Sequence, residues 1–148
     1  MRITRLLALA ALVAACGGAG GGAPSPTQPP TSRCQDAQQA LVSAVSTGLD
    51  AGQTIPSTSQ LSLRNAKVVK SSDFESAYFF AADLQGVGLE GSNEIGLWVS
   101  NKVDGTGSVY AVDAVANEFS VWEDGRTTEA AFSSSDDGAA EAKACAGI

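Results

Sequence analysis

Three cysteines and no histidine among 148 residues set the limits of the chemistry open to this chain. Without imidazole there is no His-based catalytic triad, no histidine metal ligand and no side chain that ordinarily titrates near neutrality. Cys16, Cys34 and Cys145 form no Cys-x-x-Cys pair, so a redox centre or zinc site of that spacing is not written here. Carboxylates are plentiful: Asp and Glu number 16 against 9 Lys and Arg, a formal charge of −7. The neighbours Glu123-Asp124 and Asp136-Asp137, with Asp104 and Asp113, are residue types that serve as acid/base pairs or calcium ligands. Neither run has the D-x-[DN]-x-[DN]-G spacing of a calcium loop, and both read as helix caps and solvated faces. Ser133-Ser134-Ser135 lies in no G-x-S-x-G elbow and has no histidine to activate it. Gly86-Val87-Gly88-Leu89-Glu90-Gly91 matches G-x-G-x-x-G. A dinucleotide site would need a helix opening at the last glycine and an acid about twenty residues on, whereas a strand pattern follows here. A glycine-rich bend between strands is expected, with no catalytic residue, no metal and no cofactor.

The elements that would position these residues lie between Cys34 and the C-terminus. A 44% hydrophobic content is ordinary for a globular domain, and a pI near 4.4 removes the electrostatic basis for nucleic-acid binding. Residues 35–49 place Ala37, Leu41, Ala44 and Val45 on one helical face, with Gly48 and Gly52 near its end. Strand patterns follow at 61–70, 76–84, 94–101 and 108–112, the second (SAYFFAADL) apolar on both faces as a central strand would be. Val112, Val115, Phe119 and Trp122 then recur at helical spacing behind Asp113 as N-cap, with a stop at Asp124-Gly125. Residues 127–132 read as a last short strand, and Ser134 to Asp137 as the cap of a final helix through Cys145. The expected class is α+β: an antiparallel sheet of about four to five strands, one face covered by N- and C-terminal helices that pack antiparallel. Tyr78, Phe79, Phe80, Trp98, Phe119 and Trp122 read first as core. If one sheet face is accessible, Tyr78 or Trp98 is the candidate for an outward-facing binding platform.

The N-terminus carries a different signal. Arg2 and Arg5 precede an apolar run from Leu6 to Val13, which ends in Ala14-Ala15-Cys16. That is the layout of a secretory signal, and the run is well short of the roughly twenty apolar residues of a membrane-spanning helix. Val13-Ala14-Ala15-Cys16 resembles the lipobox of bacterial lipoproteins, which implies cleavage of residues 1–15 and lipidation of Cys16 by a diacylglyceryl group. Residues 16–33 are then a lipidated cysteine and a Gly- and Pro-rich tether, with a root-mean-square span of roughly 20–25 Å as a flexible coil. Losing Arg2 and Arg5 takes the mature charge to about −9, so an anionic leaflet repels the domain and the acyl chains must hold it. With Cys16 lipidated, Cys34 and Cys145 remain, one near each end of a single domain 34–148, and an oxidising compartment permits their pairing. The loop they close approaches ~4.7 kcal/mol in chain-entropy terms.

The segments GLEGSNEIGLWVSN, VYAVDAVANEFSVW and SSDDGAAEAKAC are similar to small uncharacterised lipoproteins of actinobacteria and their phages. The resemblance implies a high-GC Gram-positive host and a domain on the outer face of the cell membrane, but no activity and no site residues. Two functions are expected from these readings. The first is a non-enzymatic interaction module, monomeric and membrane-held through its diacylglyceryl anchor. It would bind an envelope protein, peptidoglycan or glycan and no nucleic acid; a phage-encoded version would interfere with superinfecting phage. The alternative is a lipoprotein that binds a small ligand or ion and delivers it to a transporter. A deep, largely apolar pocket would favour the alternative, and an open exposed patch the first.

Overall fold

The computed structural model describes residues 32–57 and 60–148. The expected signal peptide, the expected lipidation site Cys16 and nearly all of the expected tether therefore lie outside the described residues. The compact unit Ser32–Ile148 holds strand β1 (Gln35–Asp36), helix α1 (Gln39–Ser46), and strands β2 (Ser62–Lys70), β3 (Tyr78–Gln85), β4 (Ile95–Ser100) and β5 (Val109–Ala111). Helix α2 (Ala114–Glu118), a 3-10 turn (Gly125–Thr127) and helix α3 (Ala139–Ala146) complete it. The strands form one antiparallel sheet in the order β1-β2-β3-β4-β5, a meander in which each strand pairs with its neighbour in sequence.

Alternation along the strands builds two cores. Val68, Phe80, Trp98 and Ala111 are cross-strand partners on one face, where they meet Leu41 and Val45 of α1, Ala116 of α2 and Phe119. Val69, Phe79 and Val99 are partners on the other face, where Leu97 and Ala81 join them against Ala139, Ala142 and Ala146 of α3. β3 is thus apolar on both sides because both sides are covered. The expected single covered face is corrected here: α1 and α3 lie on opposite faces of the sheet, so they do not pack antiparallel. Cys34 and Cys145 are bonded, 111 residues apart, and tie the end of α3 to the start of β1.

Local differences from the sequence reading have specific causes. The helix expected over 35–49 begins only at Gln39, because Gln35 and Asp36 pair with Val68 and Lys67 as an edge strand. Asp113 does cap α2, accepting from the Ala116 N–H at 2.9 Å, but the helix ends at Glu118. Beyond Phe119 the chain exchanges helical bonds for a bridge to 48–50: Asp50 N–H donates to Phe119 and Val121 N–H to Gly48. Trp122 consequently leaves the helical stripe and donates its indole N–H to the Val45 carbonyl at 3.1 Å. No strand forms over 127–132; Phe132 N–H bonds back to Gly125, and its ring packs 5.0 Å from Phe74 and 6.1 Å from Tyr110. The N-cap of α3 is Gly138, in the left-handed region at φ 90°, and not one of the residues from Ser134 to Asp137. Asp136 instead accepts from Ser133 N–H, and Asp137 is engaged elsewhere.

Candidate functional site

An open groove of about 380 Å³ is lined by Arg33, Gln35, Val68, Lys70, Tyr78 and Val103. Strand register explains why these residues meet. Lys70 is paired with Tyr78 across β2 and β3, and Val68 with Phe80, so Val68, Lys70 and Tyr78 share one face. β1 sets Gln35 opposite Val68. Val103 comes from the hairpin between β4 and β5, which approaches α1 so closely that a Cβ on Gly105 would lie 2.4 Å from the Ala40 carbonyl oxygen. Gly105 has φ 77°, so both its space and its backbone exclude a side chain there.

Arg33, which the sequence reading assigns to the tether, is bound to the domain at several points. Its backbone N–H donates to Glu141 Oε1 at 2.7 Å, and its guanidinium reaches Glu141 Oε2 at 2.7 Å and both Asp137 oxygens at 2.7 and 3.1 Å. Asp137 also accepts from the Ser72 N–H and hydroxyl at 2.9 and 2.8 Å. The Arg33 hydrogen bonds, then those of Ser72, hold the Asp137 carboxyl well below the usual carboxylate range, and the carboxylates in turn push the guanidinium up. Glu141 is lowered chiefly by the Arg33 backbone N–H. By contrast, the Lys70 ammonium, the Tyr78 hydroxyl and the Gln35 amide make no side-chain hydrogen bond or ion pair among the described residues. The groove therefore offers unengaged polar groups around an apolar floor.

The two aromatic candidates separate. Tyr78 is half-buried and forms one wall of the groove. Trp98 does not face outwards: it is fully buried, edge-on to Phe80 with ring centroids 5.9 Å apart, and its indole N–H donates to Ser120 Oγ at 3.1 Å. Its position beside Phe80 in the central strands places it under α1 and α2. Arg33, Gln35, Lys70 and Val103 went unread in the sequence. The one available signal was Val68-x-Lys70 at strand spacing, just before a turn and an aromatic strand.

Several of the other groups singled out in the sequence are engaged with neighbours. The Gly86–Gly91 segment is a bend between antiparallel strands, and the N–H of Gly88, a donor that a phosphate would use, bonds the Glu90 carboxylate at 2.8 Å. Asp124 is chelated by Arg126, and Asp104 accepts from Thr106, which lowers the carboxyl of each. Asp113 also pairs with Lys143. Among the described residues no three or more of His, Cys, Asp and Glu gather as metal ligands, and no helix is long and apolar enough to cross a membrane. Two further open depressions are more polar. One, of about 390 Å³, surrounds the disulfide, where Lys67 is paired with Asp36 at 2.6 Å. The other, of about 550 Å³, lies between Asp50 and Glu118, the latter accepting from Thr54 at 2.7 Å. No protein-family model, curated protein or solved structure matches this chain.

Proposed function

We propose that the protein is a lipid-anchored, extracytoplasmic, non-enzymatic binding module that engages an envelope partner through the Tyr78 groove. The observation that supports this reading most is the groove itself: open, floored by Val68 and Val103, walled by a half-buried tyrosine, and edged by groups with no partner among the described residues. Its volume is within the range of small-ligand sites, but a cargo carrier encloses most of its ligand and this groove is only partly enclosed. An aromatic side chain with a polar tip is a common anchor at such surfaces. The anchor part of the proposal rests on Arg2, Arg5, the short apolar run and Ala14-Ala15-Cys16.

Both parts can be tested in cells. A photo-crosslinking residue placed at Val103 should trap a partner that one placed at the exposed Val121 does not. The Val103 adduct should disappear in Tyr78→Ala. Identical adducts from both positions would reject the groove as docking face. Cys16→Ser should leave the chain unprocessed or release it from the membrane; full membrane retention after signal removal would reject lipid anchoring.

A further inference from the structure

We infer that the partner element taken by the Tyr78 groove is an acidic peptide segment, with a carboxylate set against Lys70 and an aliphatic side chain against Val68 and Val103. This rests on the reading of the groove as the docking face. Charge complementarity carries it. The described cations are Arg33, Arg64, Lys67, Lys70, Lys102, Arg126 and Lys143. Asp36, Asp124 and Asp113 pair with Lys67, Arg126 and Lys143, and Arg33 is held by two acids. That leaves Arg64, Lys70 and Lys102 without an ion pair among the described residues. Lys70 lines the groove, whereas Lys102, which precedes Val103, is balanced by Asp104 on the other side of that residue. No acid lines it, although acids outnumber bases in the chain 16 to 9. The Lys70 ammonium, with no ion pair among the described residues, attracts an anion to the groove.

The apolar lining narrows the class of anion. Val103 and the Tyr78 ring, with the edge of the nearly buried Val68, offer area that an inorganic ion cannot cover, whereas an aliphatic side chain gains by leaving water against them. A neutral glycan can stack on the tyrosine ring but makes no ion pair with Lys70. The Tyr78 hydroxyl and Gln35 amide, without hydrogen-bond partners among the described residues, supply the donors and acceptors that a peptide backbone requires.

The test is fluorescence anisotropy on the full chain in detergent micelles with three labelled probes. These are a hexapeptide alternating glutamate and leucine, the same peptide with glutamine for glutamate, and a neutral N-acetylglucosamine oligomer. The acidic peptide should bind, and the glutamine version about tenfold more weakly, as loss of a charged hydrogen bond predicts. Lys70→Gln should weaken only the acidic peptide, Lys70→Arg should retain it, and Tyr78→Ala should weaken both peptides while thermal unfolding shows each variant folded. No binding of the acidic peptide, equal affinity for the two peptides, or indifference to Lys70→Gln overturns the acidic-peptide assignment. Binding of the glycan alone, lost in Tyr78→Ala, also overturns it but leaves the groove as docking face. If neither variant alters any probe and the Val103 crosslink is absent, both readings fall.

Discussion

At Asn65 the backbone of β2 turns into the left-handed region, φ 47°, inside an irregularity between Arg64 and Lys67. The bulge aims the side-chain amide at the end of α3, where it donates to the carbonyls of Ala146 at 2.8 Å, Ile148 at 3.2 Å and Cys145 at 3.4 Å. A helix ends with carbonyls that lack intrahelical partners, and here a residue distant in sequence supplies the donor. Asn65→Ala removes that donor and leaves a Cβ in an unfavourable backbone region. We expect a loss of about 1–2 kcal/mol in chemical denaturation of the disulfide-intact protein. Arg33 makes a comparable long-range contact through charge. The folded-state values of Asp137 and Glu141 are depressed, so the stability they contribute is fully present above the ordinary carboxylate value and is lost as pH falls through the folded values. The melting temperature of Arg33→Gln should therefore lie below that of the parent at neutral pH, with the gap closing in strongly acid solution. A gap that widens with acid would contradict the assignment.

Among the elements, α3 depends most on small side chains. Ala139, Ala142 and Ala146 are buried against Phe79, Val69 and Val99, so the helix lies close to the sheet and each residue contributes little apolar area. Close packing makes the helix intolerant of bulk. Ala142→Leu should cost about 1–3 kcal/mol through displaced neighbours, while Ala144→Leu on the exposed side should be nearly neutral. Comparable losses at the two positions would mean that helix propensity, and not the sheet contact, sets the stability of α3. The same closeness places Glu141 within reach of Arg33 and Lys143 within reach of Asp113.

In the whole molecule the disulfide compensates for that thin contact. Cys34 packs at the margin of the cluster on the α3 face, and its bond to Cys145 holds the last helix against the strand that opens the domain. We expect no titratable thiol from either cysteine when the protein is unfolded without reductant. The double substitution Cys34→Ser/Cys145→Ser should lower stability by about 2–5 kcal/mol. It should also loosen Arg33 and the rim of the Tyr78 groove, since Cys34 connects Arg33 to Gln35. Weakened binding of the acidic peptide alongside weakened folding would join the two effects, and unchanged binding would separate them.

The strands were legible in the residues because period-two alternation and turn glycines act locally: 61–70, 94–101 and 108–112 each contain an observed strand, and β3 overruns 76–84 by one residue. The cysteine pairing was legible too, since reading Cys16 as the lipidation site left two cysteines, one near each end of the domain, with few other partners. Asp113 as a cap needed only its own helix. What the residues could not show was which face each apolar side chain would meet. A two-sided central strand reads the same whether helices cover one side or both, and that choice buried Trp98 while leaving Tyr78 at the surface. The helix expected from 35 lost its first turn to pairing with β2, a contact some thirty residues away that no helical periodicity records. The groove depends on the same kind of information. Arg33, Gln35, Val68, Lys70, Tyr78 and Val103 come from four separate stretches of chain, and only strand register and hairpin packing bring them together. Local pattern carries the period of an element, whereas the neighbours across a sheet are set by which buried surfaces best exclude water once the whole chain has folded.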